Sequence, residues 1–270
     1  DLKIPDTLAS LEKLSPAQRQ QRLAIFNAEG EKFIAQTVAP HLEKALDKLF
    51  APRAAGRPKV RISRADKLTI EIEYVSTISA PGETQYIAPT VRLEFSVRSA
   101  LEPQVYRPIT PYVAKVVPHA EMTLANVPTV VARRTFWDKI LIAHELKDRH
   151  DKDLPLTLHN ERVSRHYYDL YMLIRSGVGA ANKAQLALAR ECQRYSAIFY
   201  PSDKVDISDA LPGSFDIVPN AEMQRALAND YASMEVMIFG AAPKLSAVRD
   251  ELRAFEAQIN AFGPGGAPTR

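Results

Sequence analysis

Leu68-Thr69-Ile70-Glu71-Ile72-Glu73-Tyr74 and Val91-Arg92-Leu93-Glu94-Phe95-Ser96-Val97-Arg98 alternate apolar and polar side chains residue by residue. Side chains of a strand point to opposite faces in turn, so this period of two predicts two half-buried β-strands. Pro81-Gly82 supplies a turn between them, and antiparallel pairing is the simplest topology. Upstream, residues 6–50 read as helical, with Leu23, Phe26, Phe33, Ile34, Val38, Leu42, Leu46 and Leu49 at helical spacing. Ser15-Pro16 offers a capping serine and a proline for the first turn, Pro40 a break, and Pro52 to Pro58 a loop. Downstream, Pro103, Pro108, Pro111, Pro118 and Pro128 suit short edge strands and loops. Past Pro128 the pattern is helical, over about 134–149, 162–175, 183–199 and 222–260, and Gly263 to Arg270 reads as a flexible tail. The expected class is α+β: an α+β part over 1–130, a helical domain over 131–262 and the tail 263–270.

Composition narrows the functional classes. The 270 residues are 46% apolar and 25% charged, as in globular proteins, and no apolar run approaches the roughly 20 residues a membrane-spanning helix needs. With no signal peptide evident, a cytoplasmic protein without a membrane partner is expected. The single cysteine, Cys192, excludes an internal disulfide framework and a cysteine-rich metal site; its Ala- and Leu-rich surroundings make it a packing residue. A net charge of +3 permits a polyanionic partner without demanding one. The histidines lack the paired spacing of a zinc site, and there is no phosphate-cradling glycine loop.

Three polar residues break or qualify the patterns. In Arg134-Thr135-Phe136-Trp137-Asp138-Lys139-Ile140-Leu141-Ile142-Ala143-His144-Glu145-Leu146, stepping about 100° per residue places Lys139 on the apolar face, beside Leu146 and Ala143. It is either a lysine snorkelling from the edge of that face or an ammonium held to meet phosphate oxygens. In Arg162-Val163-Ser164-Arg165-His166-Tyr167-Tyr168-Asp169-Leu170-Tyr171-Met172-Leu173-Ile174, Asp169 shares a face with Arg162, Arg165 and His166. That is either a solvated face with an Arg165–Asp169 pair or part of a site. Glu94 lies between Arg92 and Arg98 on one strand face, as a surface ion-pair row or, if that face lines a cleft, as a group for a metal ion and phosphates.

The two helical segments, from Arg134 to Lys139 and from Ser164 to Tyr171, together resemble the AbiEii-type nucleotidyltransferases, toxins of type IV toxin–antitoxin systems akin to the MenT toxins. Similarity extends through Arg92-Leu93-Glu94-Phe95, Val127-Pro128, Asp230-Tyr231 and Met237-Ile238-Phe239-Gly240. The resemblance implies a DNA-polymerase-β-like core, a mixed sheet with helices, joined to a helical domain. It implies Mg2+ held by carboxylates, an NTP substrate, an RNA acceptor such as the 3′ end of tRNA, and a cognate antitoxin. By position, Lys139 becomes the nucleotide-binding lysine, Asp169 the aspartate of the last motif and Glu94 a metal carboxylate. Arg98, Arg165 and His166 are then candidates for binding nucleotide or acceptor. The family's Gly-Ser turn and Asp-x-Asp motif belong upstream of residue 90, and neither stands there; Asp1-Leu2-Lys3 matches the end of Asp-x-Asp-Leu, which makes Asp1 a metal ligand. A chain starting within that motif is expected to be impaired by itself. A transferase acting on a small molecule or protein, and a non-catalytic binding module, remain as alternatives.

Overall fold

The computed structural model describes residues 8–51, 56–76, 88–98, 103–117, 121–156, 162–202 and 204–263. The Pro81-Gly82 turn, the tail from Pro264 onward and Asp1 lie outside the described residues. The chain divides into two compact units, residues 1–99 and 100–270.

The first unit opens with helices α1 (Leu8–Glu12), α2 (Pro16–Phe33) and α3 (Ala39–Phe50). Ser15 caps α2 as its sequence predicts: the Gln18 N–H donates to Ser15 Oγ at 3.4 Å, and the Ser15 N–H donates to Gln18 Oε1 at 3.0 Å. The two residues thereby satisfy each other's backbone donors. The break expected at Pro40 is instead a π-turn, Ile34–Val38, whose widened ring ends with the Ala39 N–H donating to Ile34 O. Pro40 has no N–H to give, and a wider turn immediately before it accommodates the ring, so the chain stays helical through it.

Strands β1 (Lys59–Ile62), β2 (Thr69–Glu73) and β3 (Thr90–Glu94) form an antiparallel sheet in the order β1-β2-β3. Ile70 faces Leu93, and Glu71 stands between Arg61 and Arg92. The predicted pairing of the two alternating segments is present, but β3 ends at Glu94 rather than continuing to Arg98. After Phe95 N–H bonds Leu68 O, the Ser96 hydroxyl accepts the Arg98 N–H at 3.0 Å, a local bond that competes with the ladder. A Cβ on Gly30 of α2 would lie 2.5 Å from Val97 Cγ1, so only glycine lets this helix approach the sheet segment so closely.

The second unit begins with a hairpin, β4 (Gln104–Ile109) and β5 (Leu124–Val130), followed by α4 (Ala132–Asp151), α5 (Ser164–Arg175), α6 (Lys183–Phe199), α7 (Ala221–Met234) and α8 (Leu245–Asn260). Both strands are edges, so Pro108 at the irregularity between Arg107 and Ile109 and Pro128 opposite Tyr106 remove no necessary ladder bond. The hairpin groups with the helices: contacts divide at residue 99, whereas strand gives way to helix near 130. The single helical stretch expected over 222–260 is two helices. Gly240, at φ +93°, and Pro243 interrupt it, and the Tyr231 hydroxyl pins the crossing by donating to Pro243 O at 2.7 Å.

The core of this unit gathers Phe136 and Trp137 of α4, Phe215 and Phe255, with ring centroids 5.1 Å apart for Phe136–Trp137 and 5.2 Å for Phe136–Phe255. Trp137 Nε1–H donates to Gln185 Oε1 at 3.1 Å, which meets the requirement a buried indole carries. Arg134 is buried too, 3.2 Å from Asp138, 3.4 Å from Glu191 and stacked over Tyr195. The fold is α+β, with small antiparallel sheets and a preponderance of helix toward the C-terminus. No helix among the described residues is long and apolar enough to cross a membrane.

Candidate functional site

Helices α4 and α5 pack together because each has an apolar stripe: Phe136, Ile140, Ala143 and Leu146 of α4 and Tyr167 and Leu170 of α5 are buried. On α5, His166 and Asp169 each stand one residue ahead of a buried position, on the flank of that stripe. Lys139 stands on the matching flank of α4. Its ammonium donates to Asp169 Oδ2 at 2.7 Å and lies 3.3 Å from His166 Nδ1. An ammonium has no acceptor, so the imidazole nitrogen accepts and carries no proton there. The Lys139 side chain is 17% exposed and that of Asp169 40%, so water reaches the pair mainly from the aspartate side. Screening at that side keeps its direct contribution to stability at about 1 kcal/mol.

Burial lowers the His166 imidazole to about 4, and the charges of Lys139 and Arg165 push the same way, against Asp169 and Asp230. It is therefore neutral near pH 7 and a poor base. Asp230 reaches in from α7: its Oδ2 accepts the Ser164 N–H at 2.8 Å. Val163 gives α5 no side-chain cap of its own, so a carboxylate from another helix satisfies the first turn and complements its dipole. Among the described residues the buried Tyr167 hydroxyl has no hydrogen-bond partner, and burial, together with Asp216, keeps it a neutral phenol.

Beside this cluster, a cavity of about 310 Å³ is lined by residues of α4 and α5, among them Ile142, Glu145, Leu146, Arg149, Arg165 and His166. Arg149 was not singled out from the sequence, yet its place on the Lys139–Ile142–Leu146 stripe could have marked it. Asp230 stood out only within the Asp230-Tyr231 segment, and its role as a cap exists only once α7 meets α5.

Of the residues expected at the site, Lys139, His166 and Asp169 converge, and Arg165 lines the adjoining cavity. Asp169 takes Lys139 as its partner, rather than the Arg165 that spacing alone allows. Glu94 and Arg98 belong to the first unit. Glu94 is exposed and 3.3 Å from Arg92, and Arg98 Nε donates to Asn27 Oδ1 at 3.2 Å. Among the described residues no group of three His, Cys, Asp or Glu side chains could hold a metal ion. The ligand set expected for Mg2+ is therefore not assembled by those residues, and Asp1 lies outside them.

The arrangement suits phosphate chemistry: a cation held still by a carboxylate and a neutral imidazole, beside a cavity with two guanidinium groups. No curated protein and no solved structure matches the chain. A family model described as nucleotidyl transferase AbiEii toxin, type IV toxin–antitoxin system, does match, over residues 7–261. With nearly its whole length inside that match, the chain belongs to the AbiEii family of nucleotidyl transferase toxins.

Proposed function

We propose that this transferase moves a nucleoside monophosphate from an NTP to an RNA acceptor, the 3′ end of tRNA, in the cytoplasm. The observation that carries the reading is Lys139, whose ammonium is fixed between Asp169 and His166 at the partly open joint of α4 and α5. Two of its three N–H groups are directed at these neighbours, which leaves one for a phosphoryl oxygen. The acceptor hydroxyl oxygen bonds to the α-phosphorus, the bond to the pyrophosphate oxygen breaks, and the hydroxyl proton is released to water. Negative charge gathers on the leaving pyrophosphate, and a preplaced ammonium stabilises it without reorganising. His166, with its pKa at about 4, holds Lys139 in place and does not act as the base.

Mg2+ enters from the family resemblance, with Asp1 and Glu94 as its assigned carboxylates and Arg98 as a nucleotide contact. The described residues do not form that site, so the chemistry attributed here belongs to Lys139 and its neighbours. The family's type IV system implies an antitoxin partner.

The test is transfer of label from α-phosphate-labelled NTP to tRNA. The full-length protein is expected to label tRNA, and its Lys139→Ala and Asp169→Ala variants to label it at least ~100-fold more slowly, as for removal of a preorganised charge donor elsewhere. Normal labelling by both variants removes the site assignment. Labelling of a small molecule or protein in preference to tRNA removes the acceptor assignment, and activity undiminished by EDTA removes Mg2+.

A further inference from the structure

Lys139, Ile142, Leu146 and Arg149 follow one another along α4 at spacings that put them on a single helical stripe. The stripe starts at the ammonium paired with Asp169 and ends at a guanidinium about 15 Å further along the axis. The cavity of about 310 Å³ lies over its second part, and His166 belongs to both, touching Lys139 through Nδ1 and lining the cavity.

Arg149 is the unusual group here. Its side chain is 8% exposed; Nε donates to Pro155 O at 2.9 Å, and Nη1 lies 3.9 Å from Glu145 Oε1. Nη2 is buried and, among the described residues, has no hydrogen-bond partner. A buried guanidinium N–H without an acceptor is costly unless something arriving at the site supplies one. Charge says what that is. Arg149, its helix neighbour Glu145 and Arg165 all line the cavity, and His166 there is neutral, so an excess of one positive charge remains. A planar fork with an unmet donor favours a phosphate oxygen over a point anion, and the apolar walls Ile142, Leu146 and Val163 suit the sugar attached to it.

We propose that this cavity is a subsite for a phosphodiester group of the RNA acceptor, with Arg149 at its closed end and Arg165 at its exposed rim. The assignment rests on the transferase reading above for the RNA, and on the cavity itself for the phosphate. It places the acceptor strand along α4, next to the nucleotide that Lys139 holds.

Filter binding of bulk tRNA and a short oligoribonucleotide, without NTP and at several salt concentrations, tests it apart from catalysis. Arg165→Gln is expected to weaken RNA binding ~tenfold and to lower the slope of log affinity against log salt by about 1; Arg149→Lys, which keeps the charge and loses the fork, is expected to weaken binding ~tenfold with the slope unchanged, and NTP affinity moves less than ~twofold in both. Glu145→Gln, which removes the opposing charge, is expected to tighten RNA binding, a gain that misfolding cannot produce. Unaltered RNA affinity in Arg165→Gln overturns the subsite, whatever Arg149→Lys does, and so does a loss that falls on NTP instead of RNA. Absence of any RNA binding by the unaltered protein overturns it as well. RNA binding with the expected variant effects but no transfer of label overturns only the transferase reading.

Discussion

His166 ties the chemistry of the site to pH. Its folded value of about 4 lies below the ordinary 6.5, so between those limits the unfolded chain binds a proton that the folded one refuses. Stability is then fully present above about pH 6.5 and falls as the pH drops toward 4. Urea unfolding at a series of pH values should show this loss, and His166→Gln should lose less over the same window. Equal losses in both proteins would mean that the imidazole is not held neutral. Lys139 was legible in the sequence because a cation on a greasy face breaks the pattern. Asp169 was less so, since its neighbours Arg162 and Arg165 make an ordinary solvated row; the pattern left a solvated face and a site both open, and only the family resemblance gave it a role.

At the level of elements, α5 depends on a residue that is not its own. Asp230→Ala removes the acceptor for the Ser164 N–H, at a cost of about 1 kcal/mol. It also removes a carboxylate that raises the His166 pKa, so His166 in this variant should titrate still lower, as NMR of the imidazole would read. An unchanged unfolding midpoint would show that the cap is idle. Gly179→Ala tests packing in a different place: its Cβ would meet Phe136 Cε2 at 2.5 Å, and such overpacking costs about 1–3 kcal/mol in thermal or urea unfolding. The strands β2 and β3 and most helices were readable because their periods run long enough to count. Strand β1, Lys59–Ile62, was too short to separate from the preceding loop. The interruption between α7 and α8 was hidden because Met237, Ile238 and Phe239 continue an apolar rhythm that Gly240 and Pro243 then end.

For the whole molecule, the division at residue 99 has a practical consequence. The second unit has a core built on Phe136, Trp137, Phe215 and Phe255, and a fragment spanning residues 100–270 is expected to fold and to melt in a cooperative transition. A broad, non-cooperative melt with exposed aromatic signal would contradict this. The α+β class and the passage from strands to helices along the chain were legible, because they follow from periods and prolines. The grouping of the β4–β5 hairpin with the helices was not, because nothing in a hairpin's own sequence says which body it packs against. The cluster of Lys139, His166 and Asp169 was half legible for a related reason: periodicity gives the face of each helix, and only packing says which faces meet.

A lysine already matched by an aspartate is a guarded lysine. A visitor with one weak charge, such as chloride or acetate, gains nothing by competing with a carboxylate fixed 2.7 Å away. A triphosphate brings several charges and can share the ammonium without evicting its guardian. Small anions at ordinary concentrations should therefore be poor inhibitors of this protein, and polyphosphates good ones.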